Sequence, residues 1–277
     1  MRSTRDTLPL LFLAGIVSAA TGCSNRSPGS TADDSAALAE EGTDANDVES
    51  QSATLTAAFT LGTGDFTHPE ASVAAAANVA GFFAPQSCVT TQTDAANLAV
   101  NYTLLDCTGP WGLAKISGTL KVVYAAVTGG ISLDVTGTGL QFNADAPHHG
   151  SADLHATATV TASGSAREMT WNASLTGTTA RGNALSRTAS WDMKWRVGES
   201  CIALDGSAEG AVADRTLKTE VDDYQRCADE CPAAGGKITV DSEKDGEQVT
   251  LSFDGSNVAT FTGVDGKLTK IVLACGL

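Results

Sequence analysis

The sequence is short of basic and of aromatic residues. Its 277 residues include 17 Lys and Arg against 32 Asp and Glu, a formal net charge of −15 at pH 7. Nucleic-acid binding and docking on an anionic membrane surface both need clustered Lys and Arg, so this balance argues against both partners. Aromatic residues make up only 5% of the chain, so its core must be built mostly from Val, Leu, Ile and Ala. The hydrophobic fraction of 42% is nevertheless enough for a sizeable core.

Signatures of catalysis are scarce too. The segment 206–210 (GSAEG) does not fit the G-x-S-x-G nucleophile elbow, so nucleophilic catalysis has no local motif here. Glu220 and Asp222 share one face of a predicted strand, which would suit a carboxylate pair for glycoside hydrolysis. Such an acidic row is more typical of a solvated surface. We therefore assign no enzyme activity and predict no cofactor.

Two segments carry incomplete metal-binding patterns. The segment 241–246 (DSEKDG) resembles the start of a calcium loop, but the twelfth position is Ser252, where an EF-hand needs a bidentate acid. Its Asp-Gly pair is instead typical of a hairpin turn. Four neighbouring residues could offer metal ligands: His148, His149, Asp153 and His155. No second group of ligands converges on them and their surroundings indicate a loop tip, so we predict no metal site.

The N-terminus is typical of an exported lipoprotein. Arg2 and Arg5 precede an apolar run at 8–20, which is too short to span a bilayer as a helix but fits a signal-peptide core. The next residues, 20–23 (ATGC), resemble a bacterial lipobox, with Ala20 at the position where Leu is commoner. They predict a signal peptide over 1–22 and palmitate-like acyl chains on Cys23 that anchor the protein. Ser24 favours the outer membrane, on its periplasmic or its surface face. The alternative is an ordinary cleaved signal peptide with an incidental Cys23.

Residues 23–58 are predicted to tether the folded part to the membrane. The segment 24–58 is rich in Ser, Thr and Ala, contains seven acidic residues and one Arg, and shows no apolar periodicity. This composition predicts a disordered acidic linker. The folded domain then covers 59–277, with 235–277 as an alternative separate lobe of four strands.

The folded domain is predicted to be all-β. From Cys88 onward, apolar residues recur at every second position between turn signals such as Asp-Gly and Gly-Gly, which predicts about 13 strands. Because the segment 69–80 is the one helix candidate, hairpins must join the strands, and the sheet must be antiparallel. So many strands cannot stay flat, so we expect a strongly curved or barrel-like meander, with a two-layer sandwich as the alternative.

Mirror symmetry in the sequence predicts one hairpin register. Residues paired in a hairpin have a constant sum of numbers, and the pairs Trp171/Trp191 and Met169/Met193 share one sum. Arg167/Trp195 has the same sum. One register therefore places Trp opposite Trp and Met opposite Met, with Arg167 beside Trp195.

The cysteine count predicts disulfides in an oxidising compartment. Without Cys23 the chain has six cysteines, an even set. Cys201 and Cys227 are symmetric about a turn, which predicts a bridge between them. Cys88 and Cys107 would bridge a hairpin with its turn near 94–97. Cys231 and Cys275 are paired by elimination.

Three short segments carry a resemblance. The segments 107–112 (CTGPWG), 227–236 (CADECPAAGG) and 273–276 (LACG) resemble uncharacterised lipoproteins of myxobacteria and similar soil bacteria. The resemblance covers most of residues 70–277 and implies a β-rich, cysteine-stapled exported lipoprotein. It implies no activity.

The sequence leaves two main hypotheses for the function, and a hydrolase is a third that has less support from the sequence. The first is an outer-membrane-anchored structural or interaction module. The second is a periplasmic or surface carrier of a hydrophobic ligand, bound in a cavity of the curved sheet. Four large side chains would line that cavity: Trp171, Trp191, Met193 and Trp195. The alternative role for these four is an ordinary packed core.

Overall fold

The computed structural model of the chain describes residues 32–62, 68–113, 115–143, 149–228, 231–243, 246–263, 266–273 and 275. The predicted signal peptide and Cys23 lie outside these residues. The described chain forms one antiparallel sheet of 13 strands and two helices. Neither helix is long and apolar enough to cross a membrane.

The strands follow one another as a simple meander, each paired with its neighbours in sequence. The first six are β1 (Val89–Asp94), β2 (Ala99–Cys107), β3 (Ile116–Val127), β4 (Gly130–Phe142), β5 (Gly150–Ser163) and β6 (Ala166–Thr178). The next three are β7 (Ala184–Arg196), β8 (Cys201–Val212) and β9 (Arg215–Cys227). The last four are β10 (Lys237–Ser242), β11 (Gln248–Phe253), β12 (Val258–Thr262) and β13 (Leu268–Val272). The predicted antiparallel meander of 13 strands is therefore confirmed.

The sheet is open and continuous. The end strands β1 and β13 are not neighbours in the strand order, so the sheet does not close into a barrel. The sandwich alternative is wrong because all 13 strands belong to one sheet. The segment 235–277 continues the same sheet, since β10 pairs with β9 along its whole length.

The predicted hairpin register and disulfide pairs are confirmed. Strand β6 pairs with β7 so that Met169 lies opposite Met193, Trp171 opposite Trp191 and Arg167 opposite Trp195. The three disulfides join the predicted partners: Cys88–Cys107, Cys201–Cys227 and Cys231–Cys275. Cys201 and Cys227 are directly opposite each other on β8 and β9. These links fix both the middle and the end of the meander.

Three bulges bend the sheet, and each is capped from the neighbouring strand. At the bulge in β4, Asp153 accepts a hydrogen bond from the Gly139 N–H at 2.7 Å. Asp205 accepts in the same way from Asp223 N at 2.7 Å, and Ser117 from Asp106 N at 2.9 Å. A bulge adds a residue to one strand and increases the local twist, so these caps favour a sheet that curls.

The helix α1 (Ala32–Ala58) replaces the disordered linker predicted for this segment. It contacts strands β4 to β11 and also β13, so the sheet curves around it. Most of its side chains are buried, polar ones included. A helix enclosed on nearly all sides needs no single apolar stripe, so apolar periodicity could not reveal it. The prediction of disorder over 32–58 is therefore wrong.

The helix α2 (Pro69–Ala76) is shorter than the predicted segment 69–80. Past its end, the Asn78 side chain donates to the Ala74 carbonyl, and a 3-10 turn follows at Val79–Phe82. Residues 77–80, which the sequence predicts to be helical, therefore form the end of α2 and the start of the 3-10 turn. The buried hydroxyl of Tyr102 on β2 donates to the Ala76 carbonyl and fixes this end of α2 on the sheet.

Candidate functional site

Four arginines line the side of the sheet that faces α1. They are Arg181 in the turn between β6 and β7, Arg187 on β7, and Arg215 and Arg226 at opposite ends of β9. We call this surface, together with Trp171, Trp191, Met193 and Trp195, the inner groove. Each of the four arginines forms an ion pair with an acidic residue of α1. The only other arginines in 59–277 are Arg167 and Arg196, so most arginines of the domain serve this contact.

The pair of Arg187 and Glu49 is completely buried. Both side chains have 0% exposure, and Arg187 Nε lies 2.5 Å from Glu49 Oε1. Arg187 also donates to the Leu217 carbonyl and to Thr219 Oγ1, so strand β9 satisfies the rest of the guanidinium. Burial raises the pKa of Glu49, and Arg187 opposes that rise. Neither charge could remain in this position without the other.

Arg181 connects three parts of the molecule. It pairs with Asp44, whose side chain has 0% exposure, and lies 3.7 Å from Glu40. It also donates to the Val272 carbonyl at 2.6 Å, on the edge strand β13. Burial raises the pKa of Asp44 to about 6, although the hydrogen bond and charge of Arg181 act in the opposite direction. Arg181 thus fastens the N-terminal half of α1 to the last strand.

The two arginines of β9 hold α1 at partly buried positions. Arg215 lies 3.4 Å from Glu41, and burial raises the pKa of this glutamate against the lowering effect of Arg215. Arg226 donates to Asp47 at 3.0 Å and to Ser50 Oγ at 3.1 Å. Both pairs tie α1 to one strand, more than 170 residues away in sequence.

The contact between α1 and the inner groove leaves polar atoms without partners. Among the described residues, eight buried side-chain atoms make no hydrogen bond. Five are oxygens of α1: Asp44 Oδ2, Asn46 Oδ1, Glu49 Oε2, Gln51 Oε1 and Thr54 Oγ1. Three are nitrogens of the groove: Trp191 Nε1, Trp195 Nε1 and Arg226 Nε. Each unsatisfied group costs about 1–3 kcal/mol, so polar matching here is incomplete despite the ion pairs.

The four side chains proposed to line a ligand cavity all lie in the inner groove and are buried. Trp171 Nε1 donates to Thr56 Oγ1 of α1 at 3.3 Å. Trp195 packs edge-on against Trp111, whose indole N–H donates to the Glu199 carbonyl. The helix therefore occupies space in front of the wall that sequence reasoning assigned to a ligand.

Glycines let α1 and the sheet approach closely. A Cβ added at Gly42 would lie 2.4 Å from Val240 Cγ2 of β10, far inside van der Waals contact. A Cβ added at Gly150 of β5 would lie 2.8 Å from Val48 Cγ2 of α1. The helix and the groove thus fit sterically, even though their polar groups are only partly matched.

A second depression lies mainly among outward-facing side chains of β5 to β9 and has a volume of about 660 Å³. Small hydroxyl and amide side chains dominate its lining, among them Asn172, Ser174, Ser190 and Ser207. At one end, His155 lies 3.9 Å from Asp134, and both side chains are more than half exposed. Lys218, at the other end, pairs with Glu220 at 3.1 Å, which raises the pKa of Lys218. These charges are solvated.

The remaining predicted candidates do not converge. His148 lies outside the described residues, His149 is exposed, and Asp153 caps the bulge in β4. Within the described ranges, no three His, Cys, Asp or Glu side chains gather where they could hold a metal ion. In the calcium-like segment, Asp241 accepts from the Gln248 side chain across the hairpin, while residues 244 and 245 are not described. Asp222 is exposed.

Sequence reasoning missed α1 and its four arginines. A signal was present: Glu40, Asp44 and Asp47 are spaced four and three residues apart, which places them on one face of a helix. That spacing predicts an acidic helical face but not what covers it. The arginines carry no local signal: Arg181 lies in a turn, where an arginine is ordinary, and the other three lie on strands, where a single arginine does not reveal what it faces.

Comparison with known proteins gives no relative. No family model matches the chain, and no curated protein and no solved structure matches it either. The resemblance to myxobacterial lipoproteins therefore stays a prediction.

Proposed function

We propose that the protein is an exported lipoprotein, anchored to the outer membrane through Cys23, that acts as a structural or interaction module. Three disulfides indicate an oxidising, extracytoplasmic compartment for the β domain. The lipobox-like segment before Cys23 supports an anchor at that residue.

One observation carries this proposal: α1 belongs to the folded domain. Only residues 24–31 separate Cys23 from the first residue of α1, instead of the 35 residues 24–58. Eight residues span at most about 30 Å when extended. A lipid on Cys23 would therefore hold the sheet beside the bilayer, where a rigid, disulfide-linked module could contact other envelope components.

Intact mass of the membrane-extracted protein, before and after reduction, tests this proposal. We expect the loss of residues 1–22, an added mass from acyl chains, and a gain on reduction that corresponds to three disulfides. A Cys23→Ala variant should lose the acyl mass and leave the membrane fraction. An unmodified Cys23, or a variant that stays in the outer membrane, contradicts the anchor.

A carrier of a hydrophobic ligand is the second candidate. One observation favours it: the inner groove combines an apolar, Trp-rich wall with cationic side chains, and its occupant α1 leaves groove donors unsatisfied. Under this candidate, α1 must move before a ligand can enter.

A further inference from the structure

We propose that the inner groove is a binding site for an anionic amphiphile, an acyl chain with an acidic headgroup, and that α1 is the lid that covers this site. The inference rests on the second candidate function and specifies its ligand class and its gate.

The disulfides link segments of the sheet domain to one another but do not link α1 to the sheet. All six cysteines of the domain pair within 88–275, and α1 contains no cysteine. The disulfides therefore hold strands together without holding α1. Its C-terminal end is the better anchored one, since Phe59 stacks on Tyr102 of β2 with ring centroids 4.1 Å apart. Displacement of α1 would begin at the opposite end, where Arg181 and Arg215 hold its acidic residues.

The acidic side chains of α1 occupy the place that the headgroup of the proposed ligand would take. A helix that forms a permanent core is normally apolar wherever it is buried. Here the buried carboxylates Asp44 and Glu49 each have one oxygen without a partner, and three further buried side chains of α1 also contain unpartnered oxygens. Apolar residues of α1 such as Leu38 and Leu55 join the core, and beside them the acids of α1 meet the four arginines.

The groove offers what an anionic amphiphile needs. Guanidinium groups bind carboxylate and phosphate with two parallel hydrogen bonds, and four of them face inward. The indole N–H groups of Trp191 and Trp195 are further donors without partners. Around them lies an apolar wall that includes Trp171 and Met193, which suits an acyl chain. When α1 moves, the four arginines lose the carboxylates that pair with them, and an acidic headgroup would restore part of that counter-charge whereas a neutral one would not.

A locked lid tests the proposal. The Cβ of a residue at position 42 would lie 3.1 Å from Val240 Cβ. Disulfides need about 3.5–4.5 Å, so a small outward shift of α1 at this position allows a bridge. The full chain with Cys23→Ser would carry Gly42→Cys and Val240→Cys, which join α1 to β10 on oxidation. The same chain with Val240→Cys alone is the matched control. Peptide mapping verifies the new bridge, and circular dichroism verifies that both variants are folded.

Binding is measured with cis-parinaric acid, a fluorescent fatty acid, and by its displacement with hexadecanoate or hexadecanol. We expect the control to bind the acid and the locked variant to bind it at least tenfold more weakly. Hexadecanoate should displace the probe at least tenfold better than hexadecanol does. Equal binding by the locked variant and the control, no binding by the control, or equal displacement by acid and alcohol would each overturn the proposal. The assay uses the unlipidated chain, so its failure leaves the anchor at Cys23 untouched.

Discussion

The sheet and the helix inside it are stabilised by different interactions. In the sheet, alternate side chains are buried, neighbouring strands pair in register, and disulfides link strand to strand. In α1, buried carboxylates depend on arginines that lie more than 130 residues away in sequence. The sheet is thus held by apolar burial and covalent links, whereas α1 combines apolar burial with buried ion pairs and a close steric fit, and has no covalent link.

This difference predicts opposite sensitivities. Substitutions that remove a charge should matter most where α1 meets the groove and little on the outer face of the sheet. Removal of a disulfide should instead destabilise the sheet. The four tests below separate these contributions, from the largest expected effect to the smallest.

Glu49→Gln should cause the largest loss. The change leaves the Arg187 guanidinium buried without a counter-charge, and breaking a buried pair in this way costs about 3–5 kcal/mol. Denaturant unfolding at pH 7 measures the free energy. Glu220→Gln is the control, because it removes only an exposed, solvated pair with Lys218 and should change the free energy of unfolding little. Equal losses in the two variants would show that the buried pair is not needed to hold α1.

Removal of the Cys201–Cys227 bridge should weaken the sheet by about 2–5 kcal/mol. The double variant Cys201→Ala/Cys227→Ala keeps both positions small and leaves the groove arginines in place. Unfolding is compared with that of the parent chain under oxidising conditions, and again with all disulfides reduced. The difference should disappear on reduction. A difference that persists in the reduced chains would mean that packing of the two sulfurs, not the cross-link, stabilises the sheet.

Stability should depend on pH through Asp44. Its pKa in the folded chain is about 6, above its ordinary value of 3.8, so its favourable contribution is present below pH 3.8 and lost as pH rises through 6. Between pH 3.5 and pH 7.5, the free energy of unfolding of the parent chain should therefore fall by up to about 3 kcal/mol relative to that of Asp44→Asn. Thermal or denaturant unfolding across this range gives the difference.

Asp254→Asn provides the opposite case for that measurement. Asp254 is exposed, and hydrogen bonds from Ser256 lower its pKa. The charged form of Asp254 stabilises the folded chain above its ordinary pKa, and this stabilisation is lost on acidification. The free energy of unfolding of the parent chain should therefore rise slightly relative to that of Asp254→Asn as pH rises. A parallel pH response of the two variants would contradict the burial of Asp44.

Gly42→Ala should have the smallest effect, a net loss of about 1–2 kcal/mol. The new methyl group overlaps Val240, and the higher helix propensity of alanine offsets part of the strain. Val240→Ala in the same chain should recover part of the loss by making room. Gly81→Ala is the control, since a Cβ there meets nothing within 4 Å. A neutral Gly42→Ala would indicate that α1 does not pack against β10.

The sequence predicted the sheet in detail because its signals are local. Alternation placed the strands, and the constant sum of Trp171/Trp191 and Met169/Met193 gave the register of β6 and β7. The symmetry of Cys201 and Cys227 gave a disulfide for the same reason. The groove was predicted only in part: its Trp and Met side chains were identified, whereas Arg187 was not. The role of the Arg187 charge depends on its pairing with Glu49, which lies 138 residues earlier in the sequence.

The sequence by itself determined an antiparallel meander, because side chains on a strand alternate between two faces and hairpin partners are fixed by the turn. It also determined the cysteine pairs that this register brings together. Only the tertiary structure decided that 32–58 is a buried helix and that the sheet wraps around it. That segment has no apolar period because strands and arginines far away in sequence surround it, and no local pattern records contacts of that kind.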